Sequence, residues 1–353
     1  MNVASTDKNR PSVVRSVPTL GDLNLDAANA STNLLLAILT LIVLFLTAAI
    51  FNQTVKENER RIHAAIARVS APFAAFLGAA NRMTGGGGNG DYGVLRALIP
   101  PFVGLGIIAA LYGLEEPGAG LNDRSLVLFL SYFGAFAITT IAFEGVQWLM
   151  SRRYGAIAVV RVFPIGIFVA VAAVLITKVT GFQPGLMYGF VAAHAIVSET
   201  RLTAEQQGKQ TLYPAMALLG ACLLAWVLAG PLRSYAEDNP QWYNAVPEGI
   251  AVGLFVSGLE GLFFQLIPID FMEGRKLFVW NKLAWLVISL ASGFLFWQVL
   301  INDDKDSVDA LGATSTVVAL LLVLACLGAT IALWMFFKAM GPEEQQATAG
   351  ESA

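Results

Sequence analysis

Two stretches of the chain combine carboxylate and amide side chains beside long apolar segments. The first, residues 143–155, begins Phe143-Glu144-Gly-Val-Gln147, and the second, residues 265–276, places Glu273 shortly after a proline. Side chains at i and i+4 share one face of a helix. Two metal ligands at that spacing, with a Glu directly after the first, activate a metal-bound water in hydrolytic enzymes. The spacing of the first stretch therefore suits hydrolytic metal chemistry, provided that its side chains can act as ligands.

Together these stretches resemble the site-2 protease family of intramembrane zinc metalloproteases. Members carry HExxH on one membrane helix, followed by an Arg-Arg-Phe-Gly-like sequence, and NxxPxxxLDG on a second helix. This chain keeps the spacing throughout, and its residues 152–155 read Arg-Arg-Tyr-Gly. The family's motif positions fall here on Phe143, Glu144 and Gln147 in the first motif, and on Gln265, Pro268 and Met272-Glu273-Gly274 in the second. The resemblance implies a helical membrane core, and the orientation predicted from loop charges below puts both motifs near the cytoplasmic membrane face, as a shared site requires.

The side chains at the ligand positions differ from those of the family. A catalytic zinc ion takes three nitrogen, thiolate or carboxylate ligands from the protein. Phe143 has no lone pair to donate, and Gln147 offers a neutral amide oxygen, which leaves Glu273 as the remaining plausible ligand. We therefore predict no zinc, no other cofactor and no catalytic residue, and we interpret the chain as a pseudoprotease, a degenerate relative of the family.

Further polar residues lie within apolar segments, where an ionisable side chain costs several kcal/mol and usually faces a cavity or a partner. We predict a polar chamber that would bind a cation, relay protons or hold a polar group of a partner. An improvised metal site around His194 is one variant of this hypothesis. The alternative is that the carboxylates are hydrogen-bonded struts that fix helix register. The chamber residues are Glu144, Gln147, His194, Glu260 and Glu273.

The composition defines the elements that must position these residues. Of 353 residues 56% are hydrophobic and only 13% are charged, and the mean hydropathy is +0.64. The apolar residues fall into blocks long enough to cross a bilayer, and backbone groups in lipid must pair within the segment. We predict an all-α polytopic bundle of about nine spans. They cover approximately residues 33–51, 95–113, 126–150, 157–177, 183–199, 211–231, 247–267, 280–300 and 313–337.

Charge in the loops predicts the orientation of the bundle. Lys and Arg follow the first, third, fifth and seventh spans, whereas the alternate loops are acidic. The positive-inside rule then puts the N-terminus outside and the C-terminus in the cytoplasm. Outside the membrane domain (95–338) and the anchor helix (33–51), we predict disordered tails, an interfacial amphipathic helix and a Gly-rich linker. The tails cover residues 1–32 and 339–353, and the interfacial helix with its linker covers residues 52–94.

A second resemblance extends over most of the chain. Stretches at 51–58, 180–189 and 258–262 are similar to uncharacterised actinobacterial multi-pass membrane proteins. This implies a bacterial cytoplasmic membrane as the location. The predicted partners are the lipid bilayer and either another membrane protein or a second copy of the chain. The chain has no long basic run, so nucleic acid is not a predicted partner.

Three functional hypotheses follow. The first is a non-catalytic scaffold or partner-binding subunit that holds a membrane segment in the groove of a former active site. The second is a transporter or an ion- or proton-conducting protein that uses Glu144 and Glu260. The third is an active intramembrane metalloprotease with an unusual site.

Overall fold

The computed structural model describes most of the apolar part of the chain. It covers residues 16–24, 26–62, 94–116, 120–162, 164–182, 185–188, 192–196, 200–301 and 314–341, with residues 11, 14, 64 and 198. Most of the predicted interfacial helix and the Gly-rich linker lie outside the described residues. The same holds for the N-terminal ten residues and for nearly all of the predicted C-terminal tail.

The described residues form ten α-helices, two short 3-10 helices (Leu20–Asp22 and Trp242–Asn244) and one two-stranded antiparallel sheet. A π-helical segment, Ile141–Gly145, joins α3 to α4, and a second, Phe296–Ile301, extends α9. In the sheet, Val160 of β1 lies opposite His194 of β2. The elements are α1 (Ala27–Glu57), α2 (Val94–Glu115), α3 (Asp123–Thr140), α4 (Val146–Arg153), β1 (Ala158–Val162), α5 (Pro164–Thr180), β2 (Ala192–Ile196), α6 (Ala204–Asp238), α7 (Ala245–Gln265), α8 (Glu273–Trp280), α9 (Lys282–Leu295) and α10 (Thr314–Ala339).

Six helical stretches among the described residues are long and apolar enough to cross a membrane, so the chain is a multi-pass helical membrane protein by length and composition. They coincide with six of the predicted spans. Two further apolar helices are shorter, at Pro101–Leu114 and Gly166–Thr180. The six long stretches are Ala27–Glu57, Asp123–Arg153, Ala204–Asp238, Trp242–Gln265, Lys282–Ile301 and Ser315–Ala339.

The predicted spans at 157–177 and 183–199 are wrong in their detail. The first begins with strand β1 and becomes helical only at Pro164, and the described residues of the second contain strand β2 and no helix. Gly181, directly after α5, has a φ of +65°, a left-handed conformation that commonly ends a helix, and Gly185 has a φ of +100°. The β-branched residues of β1 also favour a strand. The described residues between α5 and α6 therefore include a strand in place of a second membrane helix.

Helix α7 forms the centre of the bundle and packs against α3 and α6. The backbones approach closely at small residues. A Cβ at Gly253 would lie 3.0 Å from the Cβ of Ala135 in α3, and a Cβ at Gly258 would lie 2.5 Å from the Sγ of Cys222 in α6. Small residues of this kind permit close helix packing in membranes. This contact places the polar residues of α7 inside the protein and not at lipid.

The described residues between 14 and 24, which belong to the tail predicted over 1–32, pack against α6 and the start of α7. The indole Nε1 of Trp226 donates to the Pro18 carbonyl at 2.9 Å. Arg233 donates to the Val14 carbonyl at 2.9 Å and forms a 2.8 Å ion pair with buried Glu248. These side chains satisfy carbonyl groups that a disordered tail would leave to water.

Trp226→Phe is expected to loosen this segment. The change removes one hydrogen bond, worth about 1 kcal/mol, while it keeps the ring that stacks on Phe255. Limited proteolysis in detergent should then cleave near residues 14–24 faster than in the unmodified protein. Trp242→Phe, at a tryptophan with no hydrogen bond to the described residues, is the matched control. Equal cleavage rates in both variants would contradict the assignment.

Candidate functional site

The two motif stretches meet on helix α6. The side-chain amide of Gln210 donates to the Oγ of Ser151 in α4 and lies 3.4 Å from the Gln147 carbonyl oxygen. The next residue, Thr211, donates to the Glu273 carboxylate at 3.0 Å. Two adjacent residues of α6 therefore connect the first motif to the second. The sequence predicts that the two motifs lie close together, and in the structure both contact neighbouring residues of α6.

Glu144 lies in the π-helical segment between α3 and α4. Such segments are rare and occur frequently at functional sites. The side chain is buried, and its Oε2 accepts a hydrogen bond of 2.7 Å from the backbone N–H of His194. The carboxylate thus fixes strand β2 against the motif helix. Glu144, at the position that the resemblance matches to the Glu of HExxH, thus binds a backbone group.

Gln147 follows Glu144 by about one helical turn and is buried as well. Its Nε2 has no hydrogen-bond partner among the residues that the structure describes. A buried amide without a partner costs about 1–3 kcal/mol, so such groups usually contact water or a ligand. Phe143, at the other ligand position, is also buried and contributes only an apolar ring.

The imidazole of His194 closes the cluster from the side of β2. Its Nε2 lies 3.1 Å from the Ser151 Oγ and 3.1 Å from the Gln210 side-chain nitrogen. Burial lowers the pKa of His194 from its ordinary value of 6.5; the nearby carboxylate of Glu273 opposes this shift, and the ammonium of Lys276 adds to it. The folded protein therefore favours the neutral imidazole.

The protein should lose stability as the pH falls below the ordinary pKa of histidine. The unfolded chain then binds a proton that the folded His194 resists, which favours unfolding. Thermal unfolding in detergent at pH 7.5 and at pH 5.5 measures this loss. His194→Gln should reduce the difference between the two pH values. Its control is His63→Gln, at the other histidine of the chain, which lies outside the described residues. An unchanged pH dependence in His194→Gln would argue against this role.

Glu273 begins helix α8, where the helix dipole favours a negative charge. Its Oε1 lies 2.6 Å from the ammonium of Lys276, and its Oε2 accepts from Thr211. Both oxygens are therefore engaged, and the charge is balanced by a cation within the same helix. This arrangement leaves little attraction for a further cation.

Glu260 contacts a different part of the connection between α5 and α6. Its Oε2 accepts a hydrogen bond of 2.6 Å from the backbone N–H of Met187, and its Oε1 has no partner in the described part of the chain. The Tyr112 hydroxyl accepts from the Tyr188 N–H at 2.8 Å and lies 3.1 Å from the Leu186 carbonyl oxygen. Side chains thus satisfy the backbone of residues 186–188, as non-helical backbone at membrane depth requires.

The five residues of the predicted polar chamber are therefore arranged in two groups. In the first group, Gln210 and Thr211 of α6 contact Gln147, His194 and Glu273. Glu144 belongs to the same group because it accepts a hydrogen bond from the His194 N–H. Glu260 holds the preceding part of the same connection. The carboxylates of Glu144 and Glu260 both bind backbone N–H groups, as expected if these side chains act as struts.

The turn of the second motif is held from helix α1. Asn52 donates to the Pro268 carbonyl at 3.0 Å and accepts from the Asp270 N–H at 2.9 Å. The indole of Trp285 donates to the Leu266 carbonyl at 2.7 Å. Gln265 ends α7 and is half-buried, and Pro268 is buried. These contacts fix the path of the chain into Glu273.

The residues present do not fit a zinc ion of the family's type. The described residues contain no group of three His, Cys, Asp or Glu side chains placed to hold a metal ion. Phe143 has no donor atom, and the Nε2 of His194 already contacts Ser151 and Gln210. Lys276 neutralises Glu273. A catalytic zinc site needs three anionic or imidazole side chains that are free to bind the metal. The described residues do not bring three such side chains together at this place.

Sequence reasoning missed the neutral residues that connect the site. Ser151 lies one turn beyond Gln147 on the same helix face, and this spacing was available as a signal. Gln210 and Thr211 gave little signal, because they continue a polar run that begins at Glu205 in the first turns of α6. Asn52 gave no such signal, since its contact with the second motif joins residues far apart in the chain.

Comparisons with known proteins gave one distant likeness. No family model matches the chain, and no solved structure matches it. Among curated proteins, the chain is 22% identical over 166 residues to a protein of Methanocaldococcus jannaschii named "Putative zinc metalloprotease MJ0611". The aligned part is 47% of this chain and 78% of that protein. The chain is thus distantly similar, over about half its length, to a protein named as a zinc metalloprotease.

Proposed function

We propose that the chain is a non-catalytic, site-2-protease-like membrane protein that binds a membrane segment of a partner protein. The observation that carries this proposal is the hydrogen bond from the His194 N–H to the Glu144 carboxylate. In the proposed ancestry, the Glu that activated water in the ancestor now accepts a hydrogen bond from the backbone of strand β2. The place of the former active site then serves binding and not hydrolysis.

Two features of the motif stretches support the proposed ancestry. The spacing of the motif residues is kept, and the side chains that would bind zinc are replaced or paired. The motif stretches keep the family spacing and meet on α6 through Gln210 and Thr211. The positions that would hold zinc carry Phe143, Gln147 and an ion-paired Glu273. The likeness to a protein named as a zinc metalloprotease supports the ancestry.

The buried amide of Gln147 supports a binding role. Its Nε2 has no partner within the described residues, and it lies on the helix that carries the first motif. A carbonyl group of a bound segment would satisfy this donor and recover the desolvation cost. Extended or broken membrane segments expose such carbonyl groups.

Co-purification from native membranes tests this role. The tagged full chain is expected to retain a partner membrane protein in several mild detergents. Gln147→Leu, which removes the unpartnered donor, should reduce the recovered partner several-fold. Gln241→Leu, at an exposed position, is the matched control. Recovery of the chain alone in every detergent would refute the partner role.

Metal analysis of the same preparation separates this proposal from proteolysis. We expect zinc well below one equivalent per chain. Stoichiometric zinc that disappears in Glu273→Gln would refute the proposal and favour an active protease.

Ion or proton transport is the second candidate, because the Oε1 of Glu260 is buried without a partner among the described residues. Flux into liposomes is the test, with Glu260→Gln and Glu144→Gln as variants. Flux in the unmodified protein that both changes abolish would favour transport over partner binding.

A further inference from the structure

A cleft opens between helices α4 and α6, beside the contact between Ser151 and Gln210. Its volume is about 450 Å³. Met150, Arg153 and Tyr154 line it from the end of α4, and Lys209 and Tyr213 line it from the first turns of α6. The spacings of i, i+3 and i+4 place each set on one helix face. The cleft is therefore built by two helices and not by a loop.

The charged residues of the cleft are cations. Arg153 is exposed and forms no ion pair with the residues that the structure describes. Lys209 pairs with Glu205 one turn earlier in α6, but that carboxylate is exposed and lies outside the lining of the cleft. Exposed pairs of this kind contribute at most about 1 kcal/mol, so Lys209 remains available to a stronger anion. Two cations and two tyrosine hydroxyls suit a phosphate group.

An apolar surface adjoins the cleft. Leu149 and Met216, next to the lining residues of α4 and α6, expose 60% and 54% of their surface, and Leu224 further along α6 exposes 61%. In a membrane protein, apolar side chains this exposed on a spanning helix face lipid. Tyrosines at the end of spanning helices mark the boundary between lipid and headgroups. The cleft thus has cations at the level of the lipid headgroups. The exposed side chains of Leu149, Met216 and Leu224, called the apolar track below, are placed to contact acyl chains.

We infer that this cleft, called the headgroup cleft below, binds the phosphate of an anionic phospholipid whose acyl chains lie along α6. A free phosphate would use the cations but not the apolar track. Basic pockets between membrane helices are known sites for anionic headgroups. The inference does not depend on the proposed function.

The headgroup cleft lies on the same two helices as the motif cluster. Ser151 precedes Arg153 by two positions and contacts Gln210, which directly follows Lys209. A bound headgroup would draw the ends of α4 and α6 together and stabilise the contact between Ser151 and Gln210. The lipid would therefore strengthen the packing that holds the two motif stretches in place.

Native mass spectrometry of the full chain in detergent, with added phosphatidylglycerol or phosphatidylcholine, tests the inference. Bound phosphatidylglycerol should exceed phosphatidylcholine, and Arg153→Gln and Lys209→Gln should each weaken its binding about fivefold. Arg201→Gln, at an exposed cation outside the cleft, is the matched control and should leave binding unchanged. The melting temperature of each variant, measured without added lipid, verifies that the fold is retained.

Three results would overturn the inference. The first is equal binding of the two lipids. The second is equal weakening by Arg201→Gln, which would indicate attraction to the whole basic surface. The third is complete displacement of phosphatidylglycerol by millimolar inorganic phosphate, which would show a site for the free anion and not for a lipid.

Discussion

Glu144→Leu is expected to destabilise the protein by about 2 kcal/mol, whereas Glu144→Gln should retain most of its stability. Leucine removes the acceptor for the His194 N–H and leaves that buried donor without a partner. The amide oxygen of glutamine can still accept this hydrogen bond. The comparison tests the acceptor role of Glu144, because glutamine keeps an oxygen that accepts the His194 N–H and leucine does not.

Thermal unfolding of the three proteins in the same detergent measures this difference. Hydrogen exchange at the backbone of residues 192–196 should accelerate in Glu144→Leu and stay slow in Glu144→Gln. Equal destabilisation by both changes would contradict the strut role of Glu144, since it would show that the charge and not the acceptor is required.

Gly274→Ala should destabilise the protein by about 3 kcal/mol. A Cβ at this position would overlap the Leu266 carbonyl oxygen and would lie 2.8 Å from the Ile267 carbonyl oxygen. Both contacts involve backbone atoms, which cannot rotate away as the end of a side chain can. The turn between α7 and α8 would have to open, and Glu273 would leave its place beside Thr211.

Gly220→Ala is the matched control for this change, because no atom lies within 4 Å of the added Cβ and the position is an exposed one in α6. Alanine is favoured over glycine within a helix, so this variant should be as stable as the unmodified protein or slightly more so. A melting temperature for Gly274→Ala equal to that of Gly220→Ala would show that the turn tolerates a side chain.

Six membrane helices were predictable because hydropathy and length alone define them. Helix α7 illustrates this, since 247–267 was expected and Ala245–Gln265 is observed. The connection over 183–199 was not predictable in this way. Residues 192–196 read Ala-Ala-His-Ala-Ile, a composition that fits a membrane helix as well as a strand. What decides between them is the pairing with β1, a contact that no local pattern contains.

The site shows the same division between local and long-range information. The spacing around Glu144 and Glu273 was visible in the sequence, and the two motif stretches do meet. The partner of each carboxylate was not visible, because the backbone N–H of His194 lies 50 residues from Glu144, and that of Met187 lies 73 residues from Glu260. Backbone groups have no distinguishing sequence, so hydrogen bonds to them are the contacts hardest to predict.

The hydrogen bond between Met187 and Glu260 has a consequence for biosynthesis. Residues 186–188 leave the ribosome before α7 exists, and 73 residues separate the two partners. At synthesis rates of about 5–20 residues per second, the interval is roughly 4–15 s. Unpaired backbone groups are not stable in hydrocarbon. The Met187 N–H is therefore expected to remain hydrated, for instance within the insertion machinery, until α7 is synthesised and Glu260 can accept its hydrogen bond.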